Sequence, residues 1–153
     1  MRSDNETAMT RSPELARLVE FFESIDAAAA ARIDSLYTAD AFFKDPFNEV
    51  RGPAEIRRIF EHMFVQVAEP RFVVTTAMQD GSEAFLAWDF HFRMRRFDTH
   101  TVQLIRGATH VRFATDGRVD WHRDYWDAAE ELYEKLPLVG SLMRWLKKRA
   151  NSR

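Results

Sequence analysis

The stretch Val119 to Trp126, V-D-W-H-R-D-Y-W, holds the residues best suited to chemistry. Read as a β-strand, its alternation puts Asp120, His122, Asp124 and Trp126 on one face and Val119, Trp121, Arg123 and Tyr125 on the other. An imidazole flanked on both sides by carboxylates can be oriented by them and stay protonated to higher pH, which suits general acid/base work. Aromatics on both faces fit a strand that lines a cavity. Asp45, in the aromatic stretch Ala41-Phe42-Phe43-Lys44-Asp45-Pro46-Phe47, is a second candidate, because the proline forces it into an extended conformation. His122, Asp124 and Asp45 are therefore the candidate catalytic residues. Each has a structural alternative: Asp45 as a turn residue bonded to its own backbone, His122 as a wall residue, Asp124 as an ion-pair partner of Arg118 or Arg123.

The elements that must position these groups follow in order. Ser12-Pro13 caps an amphipathic helix over 13–24, and Asp26 caps an alanine-rich one on which Ile33, Leu36 and Tyr37 share a face. A short strand at 41–47 leads to Gly52-Pro53, which opens a helix with Ile56, Ile59, Phe60, Met63, Phe64 and Val67 on one side, closed by Pro70. From Arg71 the period becomes two. Strands are expected at 72–79, 83–96, 101–114 and 119–126, with Asp80-Gly81 and Thr115-Asp116-Gly117 as turns. In the second of these, Leu86, Trp88, Phe90, Phe92 and Met94 look inward, and Asp89, His91, Arg93 and Arg95 outward. Three helices followed by a four-stranded meander is an α+β layout.

Within its 153 residues we expect a flexible N-terminus over 1–11, one domain over 12–127 and a helical extension over 128–153. The absence of cysteine excludes disulfides, thiolate zinc sites and a cysteine nucleophile, and fits a cytoplasmic location. A formal net charge of −2 with signs interspersed gives no field for nucleic acid, and glycine-rich phosphate loops are absent. His62, His91, His100 and His110 lack metal-ligand spacing, so neither metal nor organic cofactor is expected. Residues 138–149 combine the stripe Leu138, Val139, Leu142, Trp145 and Leu146 with Arg144, Lys147, Lys148 and Arg149, so this tail either docks on protein or touches a membrane surface.

Several pieces, in this order and spacing, resemble the nuclear-transport-factor-2-like superfamily, in particular its SnoaL-like polyketide cyclase and ketosteroid isomerase branches. They are Leu36-Tyr37, Ala41 to Pro46, the Gly52-Pro53 helix start, and Asp116-Gly117-Arg118-Val119 through Tyr125-Trp126. The resemblance covers about Pro13 to Asp127. It implies a cone-shaped roll, a curved and mostly antiparallel sheet wrapped around three helices, with an apolar pocket and a homodimer paired through the outer sheet face. It also implies that Asp45 stands where ketosteroid isomerases keep their proton-moving aspartate. Phe21 and Thr109 stand where those enzymes carry the tyrosine and protonated aspartic acid of the oxyanion hole. Phe21 cannot donate a hydrogen bond, so steroid isomerisation by that route is not expected. Trp88, Phe90, Phe92, Thr109, Trp126, Phe21 and Phe43 are the expected pocket residues, or plain core. The leading expectation is cofactor-independent acid/base chemistry on a small apolar carbonyl- or hydroxyl-bearing molecule. A ligand- or partner-binding module of the same fold, and a structural module whose cone is filled by its own side chains, are the alternatives.

Overall fold

The computed structural model describes residues 11–132 together with residues 144–146, 148 and 150. Helix α1 spans Pro13–Glu23, with the Ser12 side chain accepting from the Leu15 amide and the proline in the first turn. A 3-10 helix at Ala27–Arg32 follows, capped by Asp26, and then one turn of α2 at Ile33–Leu36. Strand β1 (Tyr37–Lys44) turns into the short β2 (Glu49–Arg51), and α3 spans Pro53–Gln66. The long strands are β3 (Val67–Asp80), β4 (Glu83–Met94), β5 (Val102–Phe113) and β6 (Val119–Tyr125). A last turn, α4, covers Ala128–Glu131.

These strands form one sheet in the order β2-β1-β6-β5-β4-β3. The expected meander is present, but β1 extends it by pairing parallel with β6, and β2 adds an antiparallel edge. Residues 37–40 join β1 instead of the preceding helix. That parallel pairing sets Phe43 beside His122, so the aromatic stretch before Asp45 lies next to the acid-imidazole strand.

Pro70 does not close α3, which ends at Gln66. It lies in β3, where the pairing with β4 slips between Ala68 and Arg71 and Glu69 has φ 52°. A residue without an N–H is accommodated at such a bulge on an edge strand. The Asp80-Gly81 hairpin forms as expected, with Gly81 at φ 58°, a conformation glycine adopts without steric cost.

The inner sheet face packs against α1 and α3. Phe21 meets Phe60 edge-on at 5.7 Å, Phe22 meets Phe72 at 5.5 Å, and Phe72, Phe90 and Phe92 form a run of stacked rings. The space between the sheet and these helices is filled in large part by aromatic side chains. No helix among the described residues is long and apolar enough to cross a membrane. Much of the expected amphipathic tail, including Leu138, Val139, Leu142, Lys147 and Arg149, lies outside the described residues.

Candidate active site

Alternation alone would put Asp120 on the face of His122. Instead Phe113 pairs with Val119 and Arg112 with Trp121, so one step along β5 matches two along β6 and Asp120 is the extra residue of a bulge. Val119 and His122, three apart, are both fully buried. Asp120 turns outward, where its Oδ1 accepts from Arg112 Nε at 2.9 Å. The expected acid-imidazole-acid face is thus corrected to one imidazole and one acid.

His122 lies among rings: Phe43 at 4.6 Å between centroids, Tyr37 at 5.9 Å and Phe22 at 6.0 Å. Its Nδ1 is 2.9 Å from the Tyr37 hydroxyl and its Nε2 is 2.7 Å from Asp124 Oδ1. Burial and the nearby Asp124 charge push the Tyr37 phenol well above its ordinary range, so Tyr37 keeps its proton. With a neutral ring, Tyr37 O–H donates to Nδ1 and Nε2–H donates to Asp124, which fixes the tautomer.

A second chain of donors reaches the same oxygen from β4 and β5. Trp88 Nε1–H donates to Thr109 Oγ1 at 2.8 Å, and the Thr109 hydroxyl donates to Asp124 Oδ1 at 2.6 Å. Gly107 makes this possible. The Trp88 indole lies flat over it, so close that a Cβ on residue 107 would come within 2.4 Å of the ring. Trp88 and Gly107 are cross-strand partners, and Thr109 is two residues further along the same face of β5.

Both chains therefore end on Oδ1 of Asp124. Its Oδ2 takes no hydrogen bond from a described residue, and no buried side-chain oxygen or nitrogen among those residues lacks a partner. Oδ2 consequently reaches solvent. Asp124 also lines a cleft of about 590 Å³, together with Lys44, Asp45, Pro46, Arg123, Tyr125, Trp126 and Asp127. Trp126 meets Phe47 edge-on at 5.6 Å beside it.

Asp45 and Asp124 thus share one cleft, with His122 one hydrogen bond behind Asp124. Asp45 has another occupation. Its Oδ1 accepts from the amides of Phe47 at 2.8 Å and Asn48 at 2.7 Å, and Asn48 Nδ2 is 3.0 Å from both of its oxygens. This is an Asx turn that reverses β1 into β2. Of the expected pocket residues, Trp126 lines the cleft. Trp88, Phe90, Phe92, Phe21, Phe43 and Thr109 are buried and line neither this cleft nor a second one on the outer sheet face.

Tyr37 was not among the residues singled out from the sequence. Its hydroxyl on an apolar helical stripe was the available signal, since a buried phenol needs a partner. Among the described residues no cluster of three or more metal-ligating side chains occurs.

A six-stranded mixed sheet packed on helices is the architecture of the nuclear-transport-factor-2-like fold. The family model of the SnoaL-like domain matches residues 18–122, more than half of the chain, and the protein belongs to that family. Solved structures agree on the fold. A nuclear-transport-factor-2-like protein of unknown function from Burkholderia pseudomallei K96243 superposes with a TM-score of 0.68 at 16% identity, covering 78% of this chain and 95% of that one. A putative SnoaL-like polyketide cyclase from Shewanella putrefaciens CN-32 gives 0.66 at 18% identity, covering 80% and 98%. An LEH-like epoxide hydrolase from M. tuberculosis gives 0.65 at 15% identity, covering 88% and 96%. No curated protein matches the chain by sequence.

Proposed function

We propose that the protein is a cofactor-independent acid/base enzyme of the SnoaL-like type, acting on a small carbonyl- or hydroxyl-bearing molecule with Asp124 as the proton-transfer group. The observation that carries this reading is the convergence of two donor chains on Oδ1 of Asp124, a residue that lines the cleft and whose Oδ2 takes no hydrogen bond from a described residue. In the simplest step Oδ2 takes a proton from carbon next to a carbonyl. The C–H electron pair moves into an enolate, and the same carboxyl returns a proton to that carbon or, where a neighbouring C=C extends the enolate to a dienolate, to its far end. His122, fully buried and bonded at both nitrogens, does not touch the substrate in this scheme. It is a positioning residue that holds Asp124 in register and supplies Nε2–H to the oxygen not in use. Similarity in fold to the putative polyketide cyclase and the epoxide hydrolase fits proton-transfer chemistry as a class.

A substrate-agnostic test is deuterium incorporation from D2O into a panel of enolisable ketones and β-dicarbonyl compounds, followed by NMR. Asp124→Asn is expected to lower the exchange rate on the order of 10²-fold or more. The acid/base reading is abandoned if no panel compound exchanges faster with the wild type than with Asp124→Asn. A non-catalytic binding module of the same fold then stands.

A further inference from the structure

Arg123 and Lys44 are side by side in the register of β6 and β1, and His110 on β5 is the neighbour of Arg123 on its other side. Like charges placed directly beside one another across a sheet weaken it, so the fold gains nothing from this pairing. Their partners do not remove the problem. Lys44 reaches Glu49 at 3.6 Å in a half-exposed pair, whereas Arg123 forms no ion pair among the described residues and lies over the Tyr125 ring at 4.7 Å. Both cations line the cleft that Asp124 also lines.

The cleft also holds Asp45 and Asp127, and their carboxylates are already engaged. Asp45 accepts the amides of its own turn, and Asp127 Oδ1 accepts from Ala129 N at 3.0 Å and Glu130 N at 3.1 Å to cap α4. Each has local N–H dipoles to satisfy it, while the Arg123 guanidinium has an aromatic face and solvent. Next to the two cations, Pro46, Trp126 and the neighbouring Phe47 make an apolar wall.

We infer that the cleft takes a small organic acid, an apolar ring or chain carrying a carboxylate, with the carboxylate held between Arg123 and Lys44 and the apolar body against Trp126. This names the substrate class of the site proposed above and rests on the reading of that cleft as the working site. The planar, permanently charged guanidinium of Arg123 suits a carboxylate better than a neutral amide or ester. Asp124, which alternation puts on the opposite face of β6 from Arg123, lines the same cleft.

The test is binding of phenylacetate against phenylacetamide, which share the ring and differ in charge, followed by ligand-observed NMR and Trp fluorescence on the full chain. The wild type is expected to bind the acid about tenfold more tightly than the amide. Arg123→Gln is expected to erase that preference, Lys44→Gln to reduce it without disturbing the Tyr125 stack, and Arg118→Gln, at a surface turn, to leave it intact. Asp124→Asn is expected to keep the preference, which separates this inference from the acid/base reading: turnover fails with Asp124 and selectivity with Arg123. Equal affinity of the wild type for acid and amide overturns the inference. So does an acid preference that survives Arg123→Gln in a variant with wild-type circular dichroism, or one lost equally in Arg118→Gln. A preference absent in the wild type, together with an Arg123→Gln variant that sediments as a smaller species, would assign the cations to contact with a second copy and overturn it as well.

Discussion

Replacing Thr109 with valine tests the second donor chain without changing the volume of the core. Thr109 is fully buried, and its hydroxyl both accepts from Trp88 Nε1 and donates to Asp124 Oδ1. In Thr109→Val the Trp88 N–H, buried under the sheet, loses its acceptor, which costs about 1–3 kcal/mol. Asp124 loses one of the two donors on Oδ1, a smaller effect because His122 remains and Oδ2 is solvated, so the total should be about 2–4 kcal/mol. Thr109→Ser is the control. It keeps the hydroxyl and removes one buried methyl, worth about 1 kcal/mol. Urea unfolding followed by circular dichroism separates the two. With a slope of about 1–3 kcal/mol/M, Thr109→Val should lower the midpoint by roughly 1–2 M and Thr109→Ser by well under 1 M. Adding Trp88→Phe to Thr109→Val should cost less than the sum of the two single changes, because the stranded N–H is then gone. A valine variant no less stable than the serine variant would show that the hydroxyl holds nothing, and the argument for an oriented Asp124 would lose one of its two supports.

Other outcomes follow from the same geometry. Because the Tyr37 phenol is raised in the folded state, its contribution to stability is fully present below about pH 10 and is lost as pH rises through the folded value. The stability gap between wild type and Tyr37→Phe should therefore be constant from neutral pH to about 10 and shrink above it, as checked by urea unfolding in alkaline buffers; a gap that widens there contradicts the buried Tyr37–His122 bond. Gly107→Ala forces a Cβ into the Trp88 indole and should destabilise by about 1–3 kcal/mol, with a changed Trp emission that reports the displaced ring. On the outer sheet face Phe85 and Met78 are half exposed or more, which fits burial against a second copy. Sedimentation at micromolar concentration should then give a dimer for the wild type and a monomer for Phe85→Asp, and a wild-type monomer removes the homodimer.

Local pattern carried much of the fold. The capped helix at 13–23, the helix opened by Gly52-Pro53, the Asp80-Gly81 hairpin and the inward set Leu86, Trp88, Phe90 and Phe92 are decided by periodicity and turn chemistry, which act over a few residues. The joining of His122 and Asp124 on one face follows from the same period of two. What period two cannot carry is a bulge, because the extra residue depends on the register of the neighbouring strand, and so Asp120 was placed on the wrong side. Pro70 looked like a helix stop for a similar reason: only the sheet reveals that its missing N–H lies at an edge. The polar chain is still further from local pattern. Tyr37 and His122 are 85 residues apart, and Trp88 meets Thr109 only because Gly107 leaves room for an indole to lie across the sheet. Sequence by itself determined which groups could do chemistry and on which strand they stand; the tertiary structure decided which oxygen of Asp124 is held, because hydrogen bonds between distant strands are selected by packing and not by spacing along the chain.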